Sequence, residues 1–242
     1  MREATLTASD ESSRFALGCL QFRGERQQIV ATDGLQLLIQ RGFILPWEED
    51  LLVEKNALFS GKDLLGISPV GLGRTSDHIV IDIGLWTCWL PLDKKSRFPR
   101  VEACTPSVES AVCRVEFVAN DRQHLLEAIP HLPGRQDGYV TLDLNGHVRL
   151  TAKNGDEGPP TELRLLASWT RGTPLRVTLK RSMLARAVRL GFDHVCFQDH
   201  DAPAFSHSAG KIYVCAVFSG TTRIEAEETA EQAEESHSMA TA

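Results

Sequence analysis

Hydrophobic and polar residues alternate over short stretches along most of the chain, which is the pattern of half-buried β-strands. Several pairs of these stretches flank a short turn that contains glycine, as in "QQIVATDGLQLLIQ", "DHIVIDIGLWTCWL" and "GYVTLDLNGHVRL". The turns fall at Asp33-Gly34, Gly84 and Asn145-Gly146, and such turns favour tight hairpins. The sequence therefore predicts sheets built mainly from antiparallel strands.

Helical periodicity is confined to three short segments, at Asn56–Gly66, Asp121–Ile129 and Arg181–Leu190. Asn120 is predicted to cap the second helix and Pro130 to end it, because these residue types favour such positions. Strands outnumber helices, and the helices follow strands at regular intervals.

The order of these segments repeats once along the chain. "QIVATDG" resembles "VRLTAKNG", and "LLVEKNALFSGKDLLG" resembles "LRVTLKRSMLARAVRLG". The glycines that close the first pair are 121 positions apart, and those that close the second are 125 apart. Two pairs with similar offsets indicate a duplicated domain. With "ACTPSVES" as the linker, we predict domains at residues 1–106 and 107–218, followed by a tail at 219–242.

Most of the net charge of −6 belongs to this tail. From Ser219 onward the chain has six glutamates and one arginine, so the tail carries −5 and the rest carries −1. Its composition, rich in Ala, Glu, Ser and Thr, predicts a disordered or only transiently helical segment. The charge of the folded surface must therefore be judged locally, without the tail.

The sequence contains no motif typical of catalysis. It has no G-x-S-x-G elbow and no G-x-x-x-x-G-K-[ST] phosphate loop. The six cysteines lack C-x-x-C spacing, which is typical of reduced, buried thiols in a cytoplasmic protein. No stretch approaches the roughly 20 apolar residues that span a membrane. We therefore expect a cytoplasmic protein with no catalytic residues, cofactor or membrane span.

One stretch, "DHVCFQDHDAPAFSH", concentrates side chains that can bind metals. They are His194, Cys196, Asp199, His200, Asp201 and His207. A metal site needs three or four such groups converging on one point. The first two are predicted on a strand and the next three in a turn, which does not favour convergence, so no metal site is expected. A metal-dependent enzyme using His194, His200 and His207 is kept as a third interpretation.

The helix predicted at Arg181–Leu190 has one apolar face and one basic face. At about 100° per residue, Arg181, Arg186 and Arg189 share an arc with only Ser182 and Ala185, and no acidic residue lies among them. An ordinary solvated face is the simpler interpretation from helix geometry alone. The alternative is a surface that faces phosphates, where arginines act through their charge.

The four tryptophans, Trp47, Trp86, Trp89 and Trp169, are a further candidate feature, because aromatic rings can stack on nucleobases. Trp86 and Trp89 lie in a hairpin rich in apolar residues. Packing in the core or on a sheet face is therefore the favoured interpretation for these two.

Taken in order, the motifs resemble the bacterial DNA sliding clamp, the beta subunit of DNA polymerase III. The resemblance rests on "LGCLQF…IVATDGLQLLI", "LLVEKNALFSGKDLLG", the "FP…P" segment in "FPRVEACTP", "ANDRQHLLEAI", "DAPAF" and "KIYVCAVF". It runs from about Ser12 to Phe218 and corresponds to the middle and C-terminal domains of that family. It implies an α+β fold of two clamp-like domains, made of antiparallel sheets with short helices on one face.

The resemblance also implies a function without chemistry. Such a protein associates with duplex DNA irrespective of sequence, acts as a homo-oligomeric processivity factor near the nucleoid, and tethers DNA polymerase, the clamp loader or repair proteins. The matching inner-helix positions, expected to face DNA, are Lys62, Arg181, Arg186 and Arg189. The alternative is a clamp paralogue that forms no ring and acts only as a protein-interaction module.

In the resembled family, client peptides bind an apolar pocket between the middle and C-terminal domains. The matching positions are Thr32, Gly34, Leu37, Pro99, Cys104, Val214 and Ala216. A charged residue in place of Leu37 is expected to remove client binding while leaving the fold intact.

Overall fold

The computed structural model describes residues 1–10, 15–60, 70–134, 138–154 and 159–218. The chain forms two compact units. Unit 1 combines Met1–Val108 with Phe205–Cys215, and unit 2 combines Glu109–Ala204 with residues 216–218, the last that the structure describes. The sequence-based division placed Phe205–Cys215 in the second domain, but the strand contacts of this segment join it to unit 1.

The described residues form three α-helices and sixteen strands, along with short 3-10 turns. In chain order they are α1 (Arg2–Thr5), β1 (Cys19–Arg23), β2 (Gln28–Thr32), β3 (Gln36–Arg41), β4 (Asp50–Glu54), β5 (Val70–Arg74), β6 (His78–Ile83), β7 (Trp86–Pro91), β8 (Cys113–Glu116), α2 (Ala119–Ala128), β9 (Tyr139–Asp143), β10 (Val148–Ala152), β11 (Thr161–Leu165), β12 (Trp169–Gly172), β13 (Arg176–Lys180), α3 (Arg181–Arg189), β14 (His194–Phe197), β15 (Ala204–His207) and β16 (Lys211–Cys215).

Unit 1 contains two antiparallel sheets. One has the strand order β15-β16-β3-β2-β1-β4, and the other has the order β5-β6-β7. Buried side chains from β1, β2 and β4 form one apolar cluster with Ile79, Ile81 and Ile83 of β6, so the two sheets share a core. The period of two along β6 is the alternation on which the strand prediction rested.

Unit 2 also contains two antiparallel sheets, with the orders β11-β10-β9-β13 and β12-β8-β14. Helices α2 and α3 contact each other, and they also contact β11 and β13, respectively. The buried face of α3 carries Met183, Leu184, Ala187 and Val188, whose three- and four-residue spacing is that of an amphipathic helix.

The duplication seen in the sequence is matched by the strand order of the two units. Four strands of each repeat, numbered in chain order within their own set, follow one another in the order third, second, first, fourth, as β3-β2-β1-β4 and as β11-β10-β9-β13. By this correspondence β3 is the counterpart of β11. The three strands that end each repeat also correspond in chain order, so β7 is the counterpart of β16.

Several predicted details differ from the structure. Helix α2 begins at Ala119 and Asn120 lies inside it, so Asn120 is not the N-cap. The helix predicted at Asn56–Gly66 is described only to residue 60, where a 3-10 turn spans Ala57–Phe59. The rest of that helix and the tail at 219–242 lie outside the described residues. Within the described ranges, no helix is long and apolar enough to cross a membrane.

The tryptophans divide into one core residue and three surface residues. Trp47 is buried and its ring lies 6.4 Å from that of Phe22, whereas Trp169 is exposed. Trp86 and Trp89 are 67% and 58% exposed, so the prediction that they pack in the core is wrong. The Trp89 ring lies 5.9 Å from that of His78 on β6, which agrees with the other predicted alternative, packing on a sheet face. They lie on β7, the last strand of its sheet, and β4 contacts this edge beyond the tryptophans, where Leu92 bridges Val53.

Candidate functional site

The Asp33-Gly34 turn joins β2 to β3 as the sequence predicts, and side chains fix its shape. The Asp33 carboxylate accepts hydrogen bonds from the backbone N–H groups of Leu35 and Gln36, both at 2.8 Å. The Thr32 hydroxyl donates to the Gln36 carbonyl at 2.6 Å and accepts from Gly34 N–H at 3.1 Å. Gly34 has a φ of 91°, a left-handed conformation that favours glycine. The hairpin is therefore a rigid local structure.

Three of the residues predicted to bind peptides lie side by side across β2, β3 and β16. Leu37 pairs with Thr32 on one side and with Val214 on the other. All three are buried in the sheet, and Leu37 is 4% exposed. The expectation that Leu37 could carry a charge without disturbing the fold is therefore wrong, because its side chain is part of the core.

Side chains as well as backbone groups form hydrogen bonds that hold β16 against β3. Tyr213 is fully buried, and its hydroxyl donates to Gln36 Oε1 at 2.8 Å. Beyond the end of the two strands, Arg41 N–H donates to the Gly210 carbonyl at 2.8 Å. This contact joins distant parts of the sequence, and no local sequence signal predicts it.

The segment that carries Pro99 and Cys104 is attached to β1 by an ion pair. Pro99 is half-buried, and Cys104 is exposed at the end of the 3-10 turn Glu102–Cys104. Glu102 lies 3.0 Å from the buried Arg23. A hydrogen bond from its own backbone N–H lowers the pKa of Glu102, and the charge of Arg23 lowers it further. Neither residue of this anchoring pair was identified from the sequence.

Ala216, the last residue of the predicted peptide set, follows directly on β16. It is half-buried and belongs to unit 2. The hairpin turn also presents one residue that sequence reasoning passed over. Leu35 is 41% exposed at the tip, beside the Asp33 cap. It is the apolar side chain of the turn that solvent or a ligand can reach.

The four residues predicted to face DNA have different environments. Lys62 lies outside the described residues. Arg189 is exposed in the last turn of α3, and Arg186 is half-buried one turn earlier. Arg186 and Arg189 make the C-terminal end of α3 basic, and cations at this position also interact favourably with the helix dipole.

Arg181 is not on the surface, and its assignment as a DNA-facing residue is wrong. The residue is 3% exposed. Its guanidinium donates hydrogen bonds to the carbonyls of Leu132 at 2.7 Å and Pro133 at 2.5 Å. A helical projection gives only the angle of a residue, and it cannot show that another loop covers the first turn of the helix.

The cysteines do not offer a reactive nucleophile in the core. Burial raises the pKa of Cys196 to about 11 and that of Cys215 to about 12. Cys19 is raised to about 11, mainly by burial and then by the nearby charge of Asp93. These thiols are therefore protonated at neutral pH, whereas nucleophilic attack requires a thiolate.

One group of side chains in unit 2 could approach a metal ion, and it differs from the set considered from the sequence. Ligand atoms of Glu116, Asp193 and His194 lie within 4.8 Å of one another. However, Glu116 is held by Arg114 at 2.7 Å, and His194 Nδ1 lies 2.8 Å from Asp193 Oδ1. His200 pairs with the neighbouring Asp201 at 3.0 Å in an exposed turn. These carboxylates already have partners, since Glu116 is paired with an arginine and Asp193 and Asp201 each contact a neighbouring histidine.

The fold is that of bacterial DNA sliding clamps. A sliding clamp from Pseudomonas aeruginosa, solved with a ligand, superposes with a TM-score of 0.70 at 23% identity, covering 90% of this chain and 63% of that one. The clamp of Bartonella birtlesii bound to griselimycin gives 0.74 at 20%, with coverage of 90% and 62%. DNA polymerase III subunit beta of Borrelia burgdorferi, in complex with a natural product, gives 0.76 at 12%, with 90% and 59%.

The present chain thus spans roughly three fifths of the length of these clamps. No protein-family model matches the sequence, and no curated protein matches it. The similarity therefore concerns the fold, and it confirms the antiparallel α+β architecture expected from the sequence motifs.

Proposed function

We propose that the protein is a clamp-like scaffold without chemistry of its own, which associates with duplex DNA and recruits DNA polymerase, clamp-loader or repair proteins in the cytoplasm. The observation that carries the proposal is that 90% of the chain superposes on bacterial DNA sliding clamps. The exposed Arg189 and the half-buried Arg186 supply positive charge for phosphates. Such contacts hold DNA irrespective of base sequence.

Charge reversal at the end of α3 tests the DNA contact. We expect Arg189→Glu to weaken binding to a random-sequence duplex and to reduce the steepness of its salt dependence by about one unit in the log–log plot, as for one lost phosphate contact. The measurement is fluorescence anisotropy over a series of salt concentrations. Arg171→Glu is the matched control, because Arg171 is an exposed arginine on β12. If the two variants lose the same affinity, α3 does not face DNA.

The second part of the proposal places ligand binding on unit 1, at the β2–β3 hairpin and the adjacent β16. Leu35 offers accessible surface at the hairpin turn, two residues before the buried Leu37, while Pro99 and Cys104 are the half-buried and exposed members of the predicted set. A small apolar surface beside a rigid turn can bind one or two hydrophobic anchors of a peptide. The segment carrying Pro99 and Cys104 is held to β1 by the Arg23–Glu102 ion pair.

Griselimycin, which is bound to the clamp of Bartonella birtlesii, is a usable probe of this surface. We expect it to bind the wild-type protein and Leu35→Asp to weaken that binding about tenfold, equivalent to about 1.4 kcal/mol. Isothermal titration calorimetry measures both affinities. Leu166→Asp is the control, since Leu166 is an exposed leucine of unit 2. Equal affinities for the three proteins would contradict the assignment of the hairpin.

A specific observation also favours the second candidate function, a protein-interaction module without a DNA ring. The burial of Arg181 removes one of the three arginines expected on the α3 face. If the protein does not bind duplex DNA even at low salt but still binds griselimycin through the hairpin, this second function is the correct one.

A further inference from the structure

The β5-β6-β7 sheet of unit 1 has one face toward the core and one toward solvent. The isoleucines of β6 belong to the core, and the residues between them, Val80 and Asp82, point the other way. Strand pairing places residues of β5 and β7 beside these two, in the rows Gly73-Val80-Trp89 and Gly71-Asp82-Thr87. We call these six residues the outer face.

Strand β5 contributes no side chain to the outer face, because both of its residues there are glycines. Glycine weakens a strand, and it often marks a position that another group approaches closely. A Cβ added to Gly73 would meet no atom within 4 Å, and one added to Gly71 would lie 3.5 Å from Asp82 Oδ2. The backbone of β5 is therefore an open shelf. It lies two strands away from Trp89, at a spacing of about 4.8 Å per strand.

A carboxylate and an indole ring border this shelf, and contacts within the sheet orient both. Asp82 Oδ1 accepts a hydrogen bond from the Thr87 hydroxyl at 2.7 Å, which leaves Oδ2 on the side of Gly71. The rings of Trp89 and His78 are 5.9 Å apart and nearly perpendicular, at 79°, so the indole is restrained as well. Trp89 is nevertheless 58% exposed, so most of its surface is accessible to a ligand.

The outer face carries a negative charge that the described residues do not balance. Arg74 and Lys94, at the border of the sheet, pair with Glu49 at 2.8 Å and with Asp77 at 2.7 Å. In the described ranges Asp82 forms no ion pair with a lysine or arginine. The face of an indole ring is also electronegative and attracts cations. The carboxylate and the ring therefore both select a positively charged group and disfavour the phosphates of a nucleic acid.

We propose that the outer face binds an arginine side chain of a partner protein. The planar guanidinium stacks on the Trp89 ring above the shelf at Gly73 and donates a hydrogen bond to Asp82 Oδ2. Residues 82 and 89 are diagonal neighbours on adjacent strands, a separation that one long side chain can bridge.

Arginine fits this face better than lysine does. Its flat fork of N–H donors matches both a ring and a carboxylate, whereas the lysine ammonium is a strongly hydrated point charge. Tryptophan and arginine are also among the residues that contribute most to binding at protein interfaces. The inference rests on the outer face alone and does not depend on the proposed binding of DNA or of peptides.

The indole N–H signals of the full chain test this contact by NMR. The four tryptophans give four such signals, which single Trp→Phe variants assign. N-acetylarginine amide should shift the Trp89 signal progressively as its concentration rises. The signal of Trp86, which is exposed on the same strand but pairs with the core residue Ile83, should stay in place. The citrulline analogue has the same shape without the charge and should shift neither signal.

Three results of this titration would overturn the proposal. One is that Trp86 and Trp89 shift equally, and another is that citrulline acts as arginine does. The third is that a single-stranded oligothymidylate at low salt shifts the Trp89 signal and arginine does not, since base stacking would then be the function of the ring.

Two variants separate the parts of the site without disturbing the fold. Gly73→Leu places a side chain on the shelf where there is room for its Cβ, so it should keep the wild-type circular dichroism spectrum and weaken arginine binding about tenfold. Asp82→Asn keeps an acceptor for the Thr87 hydroxyl but removes the charge, and should weaken binding about threefold, as for an exposed ion pair.

Asp77→Asn is the matched control, because the Asp77 carboxylate is exposed on the same unit and already pairs with Lys94. It should bind N-acetylarginine amide as the wild type does. A folded Gly73→Leu variant with wild-type affinity, or equal losses in Asp82→Asn and Asp77→Asn, would overturn the proposal.

Discussion

Replacement of Leu37 by aspartate should unfold the protein or destabilise it by more than about 4 kcal/mol. A fully buried leucine contributes about 1.5–3 kcal/mol through the apolar surface it removes from water. A carboxylate in its place adds the cost of burying a charge without a partner. Whole domains have free energies of unfolding of only about 5–15 kcal/mol, so this loss is a large part of the total.

Leu35→Asp is the matched control for this prediction. The two leucines are separated by one residue, but Leu35 is 41% exposed and Leu37 is 4% exposed. Exposed substitutions usually change stability by less than about 0.5 kcal/mol. Urea unfolding followed by circular dichroism measures both variants. If Leu37→Asp unfolds at the same urea concentration as Leu35→Asp, the leucine is not a core residue.

Arg181→Leu should destabilise unit 2 by about 2–4 kcal/mol, although the change is from a charged to an apolar residue. The guanidinium is the donor to the Leu132 and Pro133 carbonyls, and both lose that donor on substitution. A buried acceptor left without a donor costs about 1–3 kcal/mol. The backbone N–H of Arg181 also donates to the Gly138 carbonyl, and this bond survives the substitution.

The comparison that isolates this effect is Arg189→Leu on the same helix. Arg189 is exposed, so its loss should leave the free energy of unfolding nearly unchanged and should reduce DNA affinity if α3 faces the duplex. Arg181→Leu should do the opposite and leave the salt dependence of DNA binding unchanged while the protein is folded. A DNA-binding defect in Arg181→Leu without loss of stability would contradict the structural role.

Local chemistry was enough to predict the hairpins. Asp33 and Gly34 form a turn whose hydrogen bonds join residues no more than four positions apart. The local sequence is therefore sufficient to predict this turn. The Asn145-Gly146 turn behaves in the same way, with Gly146 at a φ of 78°. The matching strand orders of the two units also agree with the repeat seen in the sequence.

Contacts between distant segments could not be predicted in this way. The burial of Arg181 depends on carbonyls almost fifty positions earlier in the chain. The burial of Leu37 depends on its pairing with β16, which lies more than 170 positions later in the chain. A hydrophobic pattern shows that Leu37 faces a core, and it cannot show that the strand is covered on its far edge as well. For the same reason the exposure of Trp86 and Trp89 was missed, since an edge strand and a central strand have similar patterns.

The partner of β3 has a consequence for synthesis on the ribosome. Gln36 and Tyr213, which are joined by a hydrogen bond, are 177 positions apart. At about 5–20 residues per second, roughly 10–35 s pass between the emergence of one and the other. Throughout that interval β3 is an open, apolar strand, and open edges favour aggregation. A nascent chain stalled before Lys211 should therefore require a chaperone, whereas one released after Cys215 should not.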